Sequence, residues 1–513
     1  MPGKVYLVGA GPGDPGLITL KGLQVLRRAQ VVVYDHLASP ELLKEAPAGA
    51  EIIYVGKQAG THSLPQEDIN RLLVEKARAG VTVVRLKGGD PFIFGRGGEE
   101  AEALAGAGLP FEVVPGVSAA VAVPAYAGIP VTHRGHASLV TFVTGHEDPA
   151  KAESAIPWEN LARSPGTLVF LMGVKNLPDI CHRLLEGGCS PGTPAAVIES
   201  GTTFKQRTVS GTLGEIAAQA REAGILPPSI LVVGEVAALR ERLKWWETRP
   251  LWGKTVVVTR TREQASQLVQ LLAAAGARCL EVPTLEIVPP DDFAPLDAAL
   301  AKLEEYDCLI FTSANGVAAF MARLFGRGQD VRALARAKIA VIGPATGEAL
   351  KDYGLTADLM PTSFVAEGLA AALADRIKPG DRVLLARAEK AREVLPDSLA
   401  RLGARVEVVP VYRARAPESL PPEAEAALKG GQVDVLTFTS SATVHHFAAL
   451  VGKERFQTLA RSAVVAAIGP VTAATLKEYG LTPQIQPGEY TIPALATAIM
   501  GYFEKKVGGG PGT

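Results

Sequence analysis

Val84-Arg85-Leu86-Lys87-Gly88-Gly89-Asp90-Pro91-Phe92-Ile93-Phe94-Gly95-Arg96-Gly97-Gly98-Glu99-Glu100 reads as a short apolar strand, a glycine-rich loop and a helix opened by two acids. Gly88 and Gly89 lack a Cβ, so the backbone there can take positive φ and lie against a ligand, while Pro91 stiffens the exit. A strand end opening into such a loop is where open α/β sheets hold small molecules. A plain strand-to-helix turn is the other reading of this stretch alone.

Upstream, three more strands end in punctuating residues. Val5-Tyr6-Leu7-Val8 gives way to Gly9-Ala10-Gly11-Pro12-Gly13-Asp14, Val31-Val32-Val33-Tyr34 to Asp35, and Glu51-Ile52-Ile53-Tyr54-Val55 to Gly56-Lys57. In a parallel sheet these ends share one edge with Gly88, which favours a common site. The first loop invites comparison with the G-x-G-x-x-G fingerprint of nicotinamide enzymes, but its third glycine comes one position early and Pro12 occupies the turn. Asp35 stands where an acid would meet the ribose of such a cofactor, or where it would cap a following helix. His62 and Ser63 belong to a polar loop and read as solvated.

These segments, followed by Val114-Pro115-Gly116-Val117-Ser118-Ala119, resemble the tetrapyrrole methylases. Ala127-Gly128-Ile129-Pro130-Val131-Thr132-His133-Arg134-Gly135 is similar to uroporphyrinogen-III C-methyltransferases in particular, and the likeness spans nearly all of residues 3–245. It implies two α/β subdomains, residues 1–116 and 117–247, with S-adenosylmethionine between them. By family position Pro12, Gly88, Gly89, Asp90, Ile93, Ser118, Ala119, Met172 and Gly201 line that cofactor, Asp35 accepts a proton and Lys57 donates one. Met172 taken alone would read as core packing. A substrate with eight carboxylates needs cations, and Arg85, Lys87, Arg96 and Arg134 are the candidates, each of which can equally be a surface ion pair. His133 and His136 are three apart without a third ligand, so no metal is expected. A homodimer through this half is also expected.

Residues 240–253 crowd Trp245, Trp246 and Trp252 among basic side chains, too apolar for a loose tether. The domain boundary is placed here, with 248–253 as a linker packed on one neighbour. Beyond it the chain repeats itself. Val257-Val258-Thr259-Arg260 returns as Leu384-Leu385-Ala386-Arg387, Ala275-Gly276-Ala277-Arg278 as Leu402-Gly403-Ala404-Arg405, and Phe311-Thr312-Ser313 as Phe438-Thr439-Ser440; 387 − 260, 403 − 276 and 438 − 311 all equal 127. Ile342-Gly343-Pro344 recurs as Ile468-Gly469-Pro470. Alternating strands and helices make this two similar parallel α/β lobes. Thr312, Ser313, Thr439 and Ser440 stand where strands give way to helices, suited either to substrate carboxylates or to plain N-capping.

With Pro410-Val411-Tyr412, this half resembles uroporphyrinogen-III synthase over residues 254–505. The likeness implies lobe one from 254–284 and 413–505, lobe two from 285–412, and a two-stranded hinge at 283–290 and 410–417. Tyr412 is the implied catalytic phenol, protonated at neutral pH, and no cofactor is needed. Residues 506–513 are expected to be disordered. One half would close hydroxymethylbilane to uroporphyrinogen III and the other would methylate it to precorrin-2.

Composition fits: 47% hydrophobic, 20% charged, net charge -1, with no basic run that would suggest a nucleic-acid partner. The apolar run 113–132 is interrupted by Pro115, Pro124 and Pro130, so no membrane span is expected. Four cysteines without a Cys-x-x-Cys pair, and no leader pattern, point to the cytoplasm. The rival reading is a nucleotide-dependent oxidoreductase fused to a non-catalytic two-lobed ligand-binding module.

Overall fold

In the computed structural model, residues 3–56, 64–146, 154–259, 262–283, 286–391, 393–415 and 417–508 are described. Lys57, His62, Ser63 and Arg260 fall outside them. The chain divides into two units, residues 1–254 with 274–278, and residues 255–273 with 279–513.

The first unit opens with strands β1 (Val5–Gly9), β2 (Val31–Tyr34), β3 (Glu51–Tyr54), β4 (Val83–Lys87) and β5 (Phe111–Val114). They form one sheet in the order β3-β2-β4-β1-β5, with every neighbouring pair parallel. β4 is buried at all five residues, as a central strand covered on both faces must be. Helix Gln66–Arg78 shows how the cover is specified: Ile69, Leu73 and Ala77 recur every fourth residue and are buried, Glu67 and Asp68 open it, and Lys76 and Arg78 close it. Because the strands run the same way, the loops after β1, β2, β4 and β5 leave from one edge.

A second sheet follows from β6 (Val140–Thr144), β7 (Thr167–Leu171), β8 (Pro194–Glu199), β9 (Arg207–Thr212) and β10 (Ser229–Val233), in the order β6-β7-β10-β8-β9. Only β6 and β7 pair in parallel; the other pairs are antiparallel. Helix Ala119–Tyr126, inside the run 113–132, buries Ala120 and Val123 against Val169, Ile198 and Ile230 of this sheet. Among the described residues no helix is long and apolar enough to cross a membrane.

The stretch expected to be a linker belongs to the first unit. Leu251 is fully buried, Trp246 nearly so, and the Arg249 guanidinium lies 3.6 Å from the Trp246 ring centre. Glu247 accepts hydrogen bonds from Gln206 at 3.0 Å and Thr208 at 2.8 Å and pairs with Arg240. Trp246 and Leu251 therefore complete a core, while Trp245 stays exposed.

The second unit adds β11 (Thr255–Thr259), β12 (Arg278–Val282), β13 (Glu286–Val288), β14 (Cys308–Phe311), β15 (Lys338–Val341), β16 (Arg382–Ala388), β17 (Arg405–Arg415), β18 (Val435–Phe438) and β19 (Val464–Ala467). One sheet runs β12-β11-β18-β19, the other β13-β17-β16-β14-β15. The 127-residue offset carries β11 onto β16, β12 onto β17 and, taken backwards, β18 onto β14, so both lobes have one strand order. The four strands common to both lobes thus come two from the first copy of the repeat and two from the second, with β13 added at the edge of one. The crossings are made by β13 and the end of β17, which pair antiparallel from Glu286↔Arg415 to Val288↔Arg413. The last helix, Ile492–Gly508, continues past residue 505.

Candidate active site

Three loops at the shared edge of the first sheet pack backbone against backbone. Gly89 donates its N–H to the Gly11 carbonyl at 2.7 Å, and Gly11 donates to the Gly89 carbonyl at 3.3 Å. A Cβ on Gly9 would lie 2.4 Å from Gly116 Cα. Asp90 ties the β4 and β5 loops, accepting from Phe92 N–H at 2.8 Å and Gly116 N–H at 3.0 Å. Ser118 follows and caps helix Ala119–Tyr126 through Ala120 N–H at 3.2 Å.

Gly88 and Gly89 are glycines for different reasons. A Cβ on Gly88 would stand 2.4 Å from Leu37 Cβ, so this position is closed by the loop that carries Asp35. Gly89 has φ +68, and a Cβ there would meet nothing nearer than Ala119 N at 3.6 Å and Ser118 Cα at 3.9 Å. It would point into the cradle between the β4 loop and the start of the helix, at ordinary contact distance, so without it the backbone is left bare to a ligand. Gly89, Ser118 and Ala119, three of the residues expected to line S-adenosylmethionine, are thus brought together here.

The β1 loop meets the loop after β8. Asp14 N–H donates to Thr202 Oγ1 at 3.1 Å, and a Cβ on Gly13, next to Pro12, would lie 2.6 Å from Thr203 Cγ2. Gly201 is pressed on Val123, at 2.3 Å for a built Cβ. Asp14 also accepts from the Tyr126 hydroxyl at 2.8 Å, and burial pushes that phenol's pKa up. On the other side an open groove of about 370 Å³ is lined by Phe92, Phe94, Arg96 and Glu99 from the first subdomain and by Thr144 and Met172 from the second. Ile93 is half-buried in the same loop.

Non-glycine residues at positive φ mark these loops. Phe94, Arg96, Met172, Ser200 and Thr202 are those among the described residues, and all five lie in loops after β4, β7 or β8. Such conformations cost of order 1–3 kcal/mol each and gather at functional sites. Residue type gives no signal for them, so sequence reasoning reached Met172 by resemblance and did not single out Ser200 or Thr202, nor the Asp14–Tyr126 contact, which only the fold brings together.

Asp35 is not a helix cap; Ser39 occupies that position before Pro40–Leu43. Its Oδ1 accepts Leu37 N–H at 3.1 Å and its Oδ2 accepts Arg85 Nη2 at 3.0 Å. Arg85 and Lys87, expected to face substrate carboxylates, lie in the interior. Both are at most 4% exposed and both donate to Glu100 Oε1, at 3.1 and 2.8 Å. They alternate onto one face of β4, where Glu100 and Asp35 together balance their charges. Burial, and next the Arg85 charge, lower the Lys87 pKa. Arg96 sits on the groove rim paired with Glu99 at 2.7 Å. Arg134 is exposed in the turn closed by His133 and Ala137. The His133 and His136 rings are 4.8 Å apart, and no group of three or more metal-type side chains forms among the described residues.

In the second unit the repeated serines are helix caps. Ser313 Oγ accepts Gly316 N–H at 3.0 Å, and Ser440 forms a reciprocal capping box with Thr443. Thr312 and Thr439 precede them, half-buried. Tyr412, 9% exposed, lies just beyond a register shift in the β16–β17 pairing, its hydroxyl 3.0 Å from Ser313 Oγ.

Residues 4–217 match the family of tetrapyrrole (corrin/porphyrin) methylases, and residues 266–497 match uroporphyrinogen-III synthase HemD. The chain is 40% identical over 479 residues to the porphyrin biosynthesis protein HemD of Ruminiclostridium josui, covering 93% of this chain and 94% of that one. It is 56% identical over 241 residues to an S-adenosyl-L-methionine-dependent uroporphyrinogen III methyltransferase of Methanosarcina barkeri, covering 47% of this chain and 94% of that one. A crystal structure of uroporphyrin III C-methyl transferase from Thermus thermophilus is 43% identical, covers 46% of this chain and all of that one, and has a TM-score of 0.41. With one relative matched along nearly its whole length, the chain belongs to the tetrapyrrole methylases through its first half and to the uroporphyrinogen-III synthase HemD family through its second.

Proposed function

We propose that the chain carries two consecutive activities of tetrapyrrole synthesis, a uroporphyrinogen-III synthase and an S-adenosylmethionine-dependent uroporphyrinogen-III C-methyltransferase. The observation that carries the methyltransferase reading is the meeting of the β1, β4 and β5 loops at Gly89, with the Asp35 loop abutting through Gly88 and Leu37. The oxidoreductase alternative is set aside by membership in the two families.

When bound, S-adenosylmethionine supplies the sulfonium methyl. The chain's residues align it with a pyrrole carbon that is already nucleophilic, and alignment of this kind can supply roughly 7–11 kcal/mol. The methylated ring must then lose a proton, and Asp35 is the base in this reading, each of its oxygens holding one donor and keeping lone pairs free. Lys57 as proton donor rests on the resemblance. The exposed cations Arg96 and Arg134 are the remaining candidates for substrate carboxylates. In the second half Tyr412 is the donor that helps a hydroxyl leave as the bilane closes. A homodimer through the first unit is part of the proposal and rests on the resemblance. A cytoplasmic location is supported by four free cysteines.

The test is to give the purified chain hydroxymethylbilane with and without S-adenosylmethionine and identify the products. Uroporphyrinogen III alone, converted to precorrin-2 when the methyl donor is added, is the expected result. The symmetric type I isomer would sink the synthase reading. A thermal shift with a nicotinamide nucleotide and none with S-adenosylmethionine would sink the methyltransferase.

A further inference from the structure

We propose that Glu100 is a positioning residue for methyl transfer: from the interior it clamps Arg85, and Arg85 holds the Asp35 carboxylate at the strand-end surface. The inference rests on the reading of Asp35 as proton acceptor and adds to it a residue 65 positions away with no side-chain atom at the surface.

The geometry forms a chain of fixed links. Val83, Arg85 and Lys87 alternate onto one face of β4, which is covered by helices Gln66–Arg78 and Gly97–Gly106. Glu100 lies in the second of these helices and is fully buried. Its Oε1 gathers three donors, Lys87 Nζ at 2.8 Å, Arg85 Nε at 3.1 Å and Gln66 Nε2 at 3.3 Å. Arg85 is fixed at every branch of its guanidinium: Nε on Glu100, Nη1 on the Leu86 carbonyl at 3.1 Å, and Nη2 on Asp35 at 3.0 Å. A planar fork pinned at two branches has one direction left for the third. Asp35, the outermost member with 21% of its side chain exposed, thereby holds one orientation.

Stability does not explain this arrangement. A buried ion cluster rarely stabilises a fold more than apolar packing of the same volume. Here the carboxylate also leaves its Oε2 buried without a hydrogen-bond partner among the described residues. The return is placement. Two buried cations matched by one buried acid and by Asp35 keep the four charges balanced only while Asp35 stays in its place.

The test uses the full chain and measures kcat and KM with uroporphyrinogen III, together with the S-adenosylmethionine Kd. Glu100→Gln keeps the shape and removes the charge. It should lower kcat about 10-fold while the Kd stays within about twofold. On an Asp35→Asn background the same change should cost less than about twofold more, because residues acting through one group are not additive. Arg85→Lys, which keeps a charge but loses the fork, should behave likewise. Equal losses from Glu100→Gln in both backgrounds, or a wild-type kcat for that variant, overturn the proposal. Loss of S-adenosylmethionine binding in both Glu100→Gln and Arg85→Lys also overturns it, in favour of an ion cluster that only builds the fold. A fully active Asp35→Asn would instead remove the proton-acceptor reading beneath it, a separable outcome.

Discussion

A Cβ built on Gly116 would stand 2.3 Å from the carbonyl oxygen of Gly89, so the β4 and β5 loops meet with no room for a side chain. The neighbour is backbone on both sides and cannot rotate away. Gly116→Ala should therefore part the two loops, lower the melting temperature of the first unit and abolish methyl transfer. Gly89→Ala acts differently. Its Cβ has space, its φ of +68 costs about 1–2 kcal/mol, and the new methyl enters the cofactor cradle. It should raise the S-adenosylmethionine Kd more than it lowers stability, and neither change should touch cyclisation. Calorimetric titration and melting curves of both variants check this; equal effects of the two on binding and stability would contradict it.

The strands that build this edge were legible because each is an apolar run stopped by Gly, Asp or Gly-Gly, as in Val31–Tyr34 before Asp35. The fates of Arg85 and Lys87 were not. A charged residue at a strand end reads as a surface group, and the acid that takes both into the interior, Glu100, arrives only when a helix folds over β4. The antiparallel pairing of β8, β9 and β10 was equally silent, since a buried apolar run carries no mark of its neighbours' direction. The repeat was plain at an offset of 127, whereas the allocation of its halves between lobes came from family likeness and not from pattern.

The burial of Leu251 and the stacking of Arg249 on Trp246 move the expected cut point between the halves. A fragment ending at Thr248 loses both contacts, whereas one ending at Lys254 keeps the Arg249–Trp246 contact and gives up the hydrogen bond from Leu251 N–H to the Ala275 carbonyl. The longer fragment should melt several degrees higher, since a shift of about 4–8 °C per kcal/mol is usual for small domains and about 2–4 °C for larger ones. Thermal melts of the two fragments, with and without S-adenosylmethionine, decide it; identical curves would return residues 249–254 to the status of a linker.

Acid should weaken the first unit partly through Glu112. Hydrogen bonds from Lys21 and then Lys4 hold its carboxyl down to about 2. A depressed carboxylate pKa contributes stability that is complete above the unfolded value near 4.5 and lost as pH falls through about 2. The wild type should therefore lose melting temperature across that window, and Glu112→Gln should lose less of it. High salt should shrink the difference between them, the ion pairs being partly exposed. A variant whose acid limb overlays the wild type would show that these pairs contribute nothing.

In the second unit the hydroxyls of Tyr412 and Ser313 lie 3.0 Å apart across 99 residues of chain. Ser313 Oγ already accepts Gly316 N–H at the start of helix Ala314–Gly326, so the phenol either anchors that helix start to β17 or is held there as a proton donor. Tyr412→Phe separates the two, because it keeps the buried ring and removes only the hydroxyl. As an anchor, the bond is worth about 1 kcal/mol, and the loss would appear in melting curves with the rate intact. As a donor to the departing hydroxyl, it should be worth about 10²-fold in rate, the low end for a positioned general acid, with little change in stability. Hydroxymethylbilane also closes slowly unaided without inversion, so the crippled enzyme should accumulate the symmetric type I isomer. Ser313→Ala is the companion measurement: it removes the cap, costing about 1 kcal/mol, and leaves the phenol in place with one partner fewer. A donor role predicts a smaller rate loss for Ser313→Ala than for Tyr412→Phe, and an anchoring role predicts the reverse order in stability. Pure type III product at the wild-type rate from Tyr412→Phe would leave this tyrosine with a structural role only.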